Sequence, residues 1–248
     1  MQQKFIELQN KKELLDKHRP FPAESLRSLR EKLLIDWTYH SNAIEGNTLT
    51  LSETKVVLEG ITVGGKTIRE HLEAINHKEA ILYLENLVKE KEVLSEWQIK
   101  NFHHLVLKGI DETNAGTYRK ANVVISGARH IPPDFMQLSG EMEALIRSYQ
   151  NEWQTLHPIE RASRLHTEFV KIHPFVDGNG RTARLLMNFE LIRDGYPPIV
   201  IEIKERLEYY DALDKAHVDG SYDDIFRLVT NCLEKSFSLY FRILGIGP

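Results

Sequence analysis

The sequence is poor in cysteine and contains no long apolar segment. Cys232 is its only cysteine among 248 residues, so the chain has no disulfide framework and no cysteine metal cage. We expect this thiol to be buried in the core. No apolar run approaches the ~20 residues of a membrane-spanning helix, and the N-terminal residues lack the apolar core of a signal peptide. A cytoplasmic location is therefore the default expectation.

Positive charge is not in excess either. The chain has 32 Lys and Arg residues against 36 Asp and Glu residues, which gives a formal net charge of -4. Electrostatics therefore give no reason to expect nucleic acid or a membrane surface as the main partner. The length, with 42% hydrophobic and 27% charged residues, is typical of an ordinary globular domain.

Apolar residues recur at helical spacing along most of the chain, which predicts an all-α single domain over 1–248. We expect roughly eight or nine helices and one hairpin. One helix, which Ser25 could cap, should run over about 25–45 and end at Gly46-Asn47. The other predicted helices cover 1–19, a segment beginning near Thr50 or Ser52, 68–90, 95–108, 135–153, 158–172, a segment from Thr182, 204–216 and 221–243.

Residues 122–131 are the best candidate for β structure. Two short apolar arms flank Ser126 and Gly127, a pattern that predicts a small β-hairpin. Its first arm contains Val123, Val124 and Ile125. Pro132 and Pro133 end the segment.

Residues 60–67 match the letters of a phosphate-binding P-loop, G-x4-G-K-T. Such a loop needs a buried strand before it and a helix after it. Residues 53–59 carry charge at both ends and favour a helix, and the Walker-B-like run at 199–202 follows two prolines. We therefore prefer a loop between two helices. A P-loop hydrolase that depends on Lys66 is the least favoured of the functional hypotheses.

The stretch HPFVDGNGRTAR, residues 173–184, concentrates the chemistry of the chain. A residue before proline is disfavoured in the α region, so Pro174 should end the preceding helix. The Gly-Asn-Gly turn can point successive N–H groups at an anion, and the following helix adds the positive end of its dipole. Arg181 and Arg184 are predicted in that helix's first turn, where cations are unfavourable unless an anion lies in front of them.

These residue types together predict a phosphoryl or nucleotidyl transfer site. His173 can accept a proton from a nucleophile, because an unperturbed imidazole has a pKa of ~6.5. Asp177 suits Mg²⁺, which binds one or two carboxylates together with substrate phosphates. The arginines can clamp phosphate oxygens. We expect the other histidines, including His103 and His104, to be structural.

The stretch resembles the Fic family motif H-P-F-x-(D/E)-G-N-G-R-x-x-R at every defined position, and the likeness extends from about residue 36 to the C-terminal helices. The resemblance implies a Fic-type helical bundle with N-terminal helices over 1–90, a catalytic core over about 95–200 and C-terminal helices over 201–248. It also implies transfer of AMP from ATP to a Ser, Thr or Tyr hydroxyl of a target protein, with release of pyrophosphate. Doc-type kinases of the superfamily have lysine at the position of Gly180, which favours AMP transfer here.

By the same resemblance, each motif residue has an expected role. His173 activates the target hydroxyl, and Asp177 holds Mg²⁺ against the nucleotide. The hairpin resembles the family's flap, which aligns the target chain by strand pairing through Val123, Val124, Ile125, Ser126 and Gly127. The residues expected to bind the nucleotide phosphates are Gly178, Asn179, Gly180, Arg181 and Arg184.

The run SNAIEGN, residues 41–47, is similar to the inhibitory motif (S/T)-x-x-x-E-(G/N) of some Fic proteins. Glu45 is expected at a helix C-terminus, which is unfavourable for an anion, as the helix start is for Arg184. Pairing would relieve both charges and place Glu45 where a γ-phosphate belongs. Ser41 lies on the same helical face as Glu45. The same carboxylate is a candidate base for removing AMP from a modified target.

Tyr209 and Tyr210 resemble the aromatic pair that lines the adenine pocket in relatives, although two core tyrosines are an equally good interpretation. Relatives often have asparagine at the position of His217. The sequence thus predicts a magnesium- and ATP-dependent protein adenylyltransferase that Glu45 inhibits. The alternative is a nucleotide-binding regulatory module with negligible transferase activity. The expected partners are ATP and a target protein, with self-modification and a homodimer left open.

Overall fold

Ten α-helices and three short 3₁₀ turns form the computed structural model, which describes residues 1–247. The all-α prediction is confirmed. The α-helices are α1 (Gln2–Asp16), α2 (Ala23–Ile44), α3 (Leu51–Leu58), α4 (Ile68–Lys89), α5 (Glu96–Leu107), α6 (Leu138–Gln150), α7 (Pro158–Ile172), α8 (Asn179–Arg193), α9 (Arg206–Asp219) and α10 (Asp223–Leu244). The 3₁₀ turns are Phe135–Gln137, Glu152–Thr155 and Ile203–Glu205.

Helix α8 lies at the centre of the fold. It packs along α7 and also contacts α2, α4 and α5, and twelve of its fifteen residues are buried. The surrounding apolar core extends from Phe5 in α1 to Phe237 in α10 and includes Cys232, whose predicted burial is confirmed. Because α8 is buried on nearly every side, its arginines need protein or ligand partners in place of water.

Several predicted helix ends are confirmed and others need correction. Thr50 caps α3 in a capping box with Glu53, as the sequence predicts. Ser25 does not cap α2, since that helix begins two residues earlier, directly after Pro22. Helix α8 begins at Asn179 and not at Thr182.

The early start of α8 moves one arginine of the motif. Gly178 is its N-cap residue with a φ of 75°, a left-handed conformation that glycine adopts without steric cost. Arg181 lies in the first turn of α8, as predicted. Arg184 is the sixth helical residue and lies in the second turn, so its prediction for the first turn is wrong.

The segment 60–67 is a loop between α3 and α4, so the interpretation preferred over a P-loop is confirmed. The Lys66 ammonium donates to the carbonyl oxygen of Thr48 at 2.6 Å and lies 3.5 Å from Glu53. A helix, α3, precedes the loop where a P-loop requires a strand. In residues 1–247, no helix is both long and apolar enough to cross a membrane.

The β-hairpin predicted over 122–131 is wrong, because no β-strand forms anywhere in residues 1–247. A turn is present, in which the N–H of Ala128 donates to the carbonyl of Ile125 at 3.2 Å and Gly127 has a φ of 83°. The two arms do not pair. Val124 is 81% exposed, so little apolar burial is available to stabilise an isolated two-stranded ribbon. We keep the name flap for residues 122–131.

Candidate active site

His173 follows the last residue of α7 and adopts a left-handed conformation with a φ of 51°. Its N–H donates to Phe169, and its carbonyl oxygen accepts a hydrogen bond from Arg119 at 3.0 Å, so its main chain is held on both sides. Burial lowers the pKa of the imidazole to about 4. At neutral pH the ring is therefore uncharged and can accept a proton. Its Nδ1 atom is buried and has no hydrogen-bond partner within the described chain.

Arg119 is a site residue that no sequence pattern indicates. Its side chain is almost fully buried and donates to the carbonyl oxygens of His173, Ala121 and Pro133. Its own N–H donates to the carbonyl of Pro174 at 2.9 Å. It thus fastens both ends of the flap region to the start of the motif. All of its acceptors are main-chain groups, which leave no trace in the residue pattern.

The Asn179 side chain shapes the turn between α7 and α8. Its Oδ1 accepts from the N–H of Phe175 at 3.0 Å, and its Nδ2 donates to the carbonyl of the same residue at 2.8 Å. The side chain is therefore used within the turn. The main-chain N–H groups at the start of α8 are what the turn leaves available for an anion.

His103 supports the same turn from α5, so it is structural as expected but lies at the site. Its Nε2 donates to the carbonyl of Asp177 at 2.8 Å, its Nδ1 accepts from Gly116, and its ring stacks on Phe175 with 3.5 Å between centroids. A Cβ atom on Gly178 would lie 3.3 Å from this imidazole. Close packing therefore adds to the left-handed backbone as a reason for glycine at 178.

The Asp177 carboxylate is held by two arginines. One oxygen accepts from Arg181 at 3.1 Å and from the N–H of Gly178, and the other accepts from Arg69 at 2.5 Å. Burial raises the pKa of Asp177, but Arg181, the N–H of Gly178 and Arg69 together keep it below its ordinary value. The group is an ionised, half-exposed oxygen ligand. Arg69, on α4, is a second site residue that the sequence did not indicate.

Metal binding at Asp177 would depend on ligands from a nucleotide. Within residues 1–247, no group of three or more His, Cys, Asp or Glu side chains could hold a metal ion. One carboxylate combined with phosphates and water is nevertheless the usual environment of Mg²⁺. The donor set fits the ion in that case, provided that Arg69, which is exposed, releases the carboxylate.

Arg181 has unused hydrogen-bonding capacity although it is 1% exposed. Its Nη1 lies 3.3 Å from the Glu73 carboxylate but without hydrogen-bond geometry, and its Nε finds no acceptor within the described residues. Unsatisfied buried donors of a charged group are costly. Because they lie beside the N-terminus of α8, they favour binding of an anion there.

Arg184 contacts the C-terminal turn of α2 at three points. Its Nη2 lies 2.8 Å from the Glu45 carboxylate and 2.8 Å from the carbonyl oxygen of Ser41, and its Nε donates to the Ser41 hydroxyl at 3.0 Å. Burial lowers the pKa of Arg184, but the Glu45 carboxylate outweighs it and raises the pKa overall. A cation is favourable at the C-terminal end of a helix, so Arg184 stabilises the end of α2.

The Glu45 carboxylate lies directly against the first turn of α8. A Cβ atom placed on Gly180 would collide with Oε1 of Glu45 and would approach Arg184. The glycine thus lets an anionic group reach the main chain at the start of the helix. The structure brings Ser41, Glu45, Gly180 and Arg184 together, at the place where the sequence predicts a phosphate.

The two tyrosines have different environments. Tyr209 is 1% exposed, and its hydroxyl donates to Nε2 of His166 at 2.9 Å and accepts weakly from Arg184 at 3.5 Å. Tyr210 is 37% exposed and donates to the carbonyl of Ile44, the last residue of α2. The ring of Tyr210 is therefore the accessible one. His217 donates to the carbonyl of Thr167 at 3.0 Å, within the helix pair α7–α9.

The flap residues selected from the sequence lie at the surface. Val124, Ser126 and Gly127 are exposed, and Val123 and Ile125 are partly buried. Within residues 122–131, the contact from Ala128 to Ile125 is the one hydrogen bond that joins two main-chain groups. Most peptide groups of the flap are therefore free to pair with another chain.

Fold and site together define an all-α protein in which a neutral histidine adjoins the N-terminus of a central buried helix. The model of the Fic/DOC family matches residues 93–191. Protein adenylyltransferase Fic of Nematostella vectensis is 39% identical over 244 residues, which cover 94% of this chain and 55% of the relative. The chain spans about half the length of the curated relatives it matches.

Solved structures of Fic proteins have a fold similar to that of this chain. Fic-1 of C. elegans, residues 134–508, superposes with a TM-score of 0.85 at 33% identity, covering 95% of this chain and 71% of that one. A Fic-domain-containing signaling protein of Bacteroides thetaiotaomicron gives a TM-score of 0.87 at 29% identity, covering 98% and 97%. The chain belongs to the Fic/DOC family, as the motif at 173–184 predicts.

Proposed function

We propose that the protein is a protein adenylyltransferase that moves AMP from ATP to a hydroxyl group of a target protein. The observation that carries the proposal is the neutral imidazole of His173 beside the start of α8, where Arg181 has unused donors. Curated relatives at up to 39% identity bear the name protein adenylyltransferase Fic. ATP is accordingly the proposed substrate.

In this mechanism His173 removes the proton from the attacking hydroxyl. The hydroxyl oxygen bonds to the α-phosphorus of ATP, the bond from that phosphorus to the bridging oxygen breaks, and pyrophosphate leaves. The N–H groups at Asn179 and Gly180, with Arg181, stabilise the charge that develops on the phosphate oxygens. Gly178, expected from the sequence to bind phosphate as well, donates its N–H to Asp177 and contributes the left-handed turn before them. Catalysis of this kind depends mainly on positioning and charge stabilisation.

Asp177 is the proposed holder of Mg²⁺. When bound, the ion would neutralise charge on the phosphates. The Asp177 carboxylate can bind the ion only after Arg69 releases it. Arg69 can then turn toward Glu73, because Nε of Arg69 already contacts the Glu73 carboxylate at 3.2 Å.

Glu45 is the proposed inhibitor of transfer. Its carboxylate forms an ion pair with the guanidinium of Arg184 and lies against Gly180. The terminal phosphate of ATP is expected at this place. ATP can bind productively only if this carboxylate moves away. Once no γ-phosphate is present, the same carboxylate could accept a proton from water and assist removal of AMP from a modified target.

The test is incubation with α-labelled ATP and Mg²⁺, in the presence of cell extract as a source of acceptors. We expect weak labelling by wild type, strong labelling by Glu45→Gly, and none by His173→Ala or the double variant. Intact mass of Glu45→Gly after incubation tests self-modification by AMP. Absence of label from every variant, with or without extract, would contradict the proposal.

A second candidate is a regulatory module that binds nucleotide without appreciable turnover. The pairing of Arg184 with Glu45 and of Asp177 with Arg69 would restrain ATP binding as much as turnover, and the curated relatives named protein adenylyltransferase Fic do not favour this alternative. Stabilisation of Glu45→Gly by ATP without any transfer would support this candidate. Transfer that depends on His173 would exclude it.

A further inference from the structure

Two carboxylates on α9 contact the C-terminal part of the flap, and Asp214 makes most of these contacts, since Asp219 accepts only from Nη2 of Arg129 at 3.2 Å. Oδ1 of Asp214 accepts from the main-chain N–H groups of Arg129 at 2.9 Å and of His130 at 3.1 Å. Its Oδ2 accepts from Nε of Arg129 at 2.7 Å. Three donors thus converge on a single side chain that is 17% exposed.

The rest of the flap is attached through its ends. Arg119 joins the carbonyls of Ala121 and Pro133 to the carbonyl of His173. Nε2 of His130 donates to the carbonyl of Lys171 at 2.8 Å, two residues before His173. Between these attachments, the flap has the single turn hydrogen bond described above. The position of the flap relative to His173 must therefore be set by contacts outside the flap.

We propose that Asp214 is a positioning residue, which fixes the flap and so sets the register in which an extended acceptor segment lies across His173. The acceptor would be a polypeptide strand that carries a hydroxyl side chain. This role in acceptor alignment rests on the proposed transferase function. The attachment of the flap to α9 is independent of the proposed transferase function.

No strand pairing orders the flap from within, so its position depends on the anchoring contacts with Arg119, Lys171, Asp214 and Asp219. An isolated two-stranded ribbon is marginal in water, and the exposed valine of the flap adds no buried area. Hydrogen bonds to an ionised acceptor are about twice as strong as neutral ones. Asp214 takes the N–H groups of residues 129 and 130, whereas within 123–127 only the carbonyl of Ile125 has a main-chain partner, so the remaining peptide groups can pair with an added strand.

The direct test is hydrogen–deuterium exchange on the full chain. Asp214→Ala should speed exchange of the amides of Arg129 and His130, the two that donate to Asp214, by about tenfold, as expected for the loss of charge-assisted hydrogen bonds. Asp214→Asn should give an intermediate rate, because an amide oxygen still accepts but carries no charge. Asp211→Ala, an exposed aspartate on the same helix, is the matched control and should match wild type.

Hydrogen exchange in α9 distinguishes a role of Asp214 in fixing the flap from a role in stabilising its own helix. We expect protection of the amides in 206–219 to be the same in Asp214→Ala as in wild type. Unchanged flap exchange in Asp214→Ala would overturn the proposal. Faster exchange in the flap and α9 to the same degree would also overturn it, since Asp214 would then only stabilise its helix.

Transfer kinetics test the consequence for the acceptor. In a Glu45→Gly background, with a His173→Ala copy of the chain as the defined acceptor, Asp214→Ala should raise the acceptor KM about tenfold. The affinity for ATP should not change. An equal KM for the acceptor, together with faster flap exchange, would contradict the role in alignment. If Glu45→Gly transfers nothing, the proposed function fails while the exchange result still decides the attachment.

Discussion

Glu45 and Arg184 form an ion pair between the end of α2 and the second turn of α8, with 2.8 Å between Oε1 and Nη2. Each charge would be unfavourable without the other, because an anion lies at a helix C-terminus and a cation is buried near a helix N-terminus. The two contacts of Arg184 with Ser41 do not depend on Glu45. Removal of the carboxylate should therefore free the guanidinium without displacing it.

The first prediction concerns ATP affinity. Glu45→Gln keeps the volume of the side chain and removes its charge, and Glu45→Gly removes both. We expect the affinity for ATP to rise in both variants, by about tenfold or more in Glu45→Gly, where each tenfold step corresponds to ~1.4 kcal/mol. Calorimetric titration with ATP measures this. AMP, which has no γ-phosphate, is the control ligand and should gain much less affinity.

The second prediction concerns the pH dependence of transfer. Burial lowers the pKa of His173 to about 4, so its basic form predominates above that value. In Glu45→Gly, the rate should be nearly constant between about pH 6 and 8 and should fall as the pH approaches 4. A rate that halves near pH 6.5 would mean an imidazole of ordinary pKa, contrary to the burial of His173.

The third prediction concerns acid stability. Burial lowers the pKa of several histidines below the ordinary 6.5, so the folded state binds fewer protons than the unfolded state in the intervening range. Their contribution to stability is complete above pH 6.5 and is lost as the pH falls through about 4 to 3. The residues concerned are His77, His103, His166, His173 and His217.

Thermal unfolding at a series of pH values measures this effect. The free energy of unfolding should decline below pH 6.5 by about 1.4 kcal/mol per pH unit for each such histidine. His77→Gln should show a shallower decline than wild type. His18→Gln, at an exposed position, should reproduce the wild-type slope. If His77→Gln and His18→Gln showed equal slopes of unfolding free energy against pH, the lowered pKa assigned to His77 would be contradicted.

The fourth prediction concerns Arg69. Its contact with Asp177 at 2.5 Å competes with any cation for the carboxylate. Arg69→Ala should therefore strengthen binding of Mn²⁺ in the presence of ATP by a few-fold, measured by electron paramagnetic resonance. The effect is modest because Arg69 is exposed and solvent screens the pair. Arg27→Ala, at a distant exposed ion pair, is the control, and Asp177→Asn should abolish the added binding.

The helices and the central motif were predictable because their signals are local. Apolar spacing marks α7 and α10, and the constrained run 173–184 places a histidine, a turn and two arginines within one segment. Helix α8 begins at Asn179, before the predicted start at Thr182, because Gly178 takes the N-cap position. The hairpin was wrong because residue pattern shows which segment could extend but not whether a pairing partner exists.

The supporting residues of the site could not be found in this way. Arg69 meets Asp177 across 108 positions of the chain, His103 meets the same residue across 74, and Arg119 meets His173 across 54. Two of these contacts use main-chain carbonyls, for which no particular residue type is required. Tertiary packing alone brings them together.

The measurement that tests the central claim most directly is AMP incorporation by four forms of the full chain with labelled ATP and Mg²⁺. These are wild type, Glu45→Gly, His173→Ala and the double variant. If Glu45 inhibits transfer, Glu45→Gly should incorporate at least about tenfold more label than wild type. Removal of His173 should abolish this label. Equal incorporation by wild type and Glu45→Gly, or label that persists without His173, would contradict the claim.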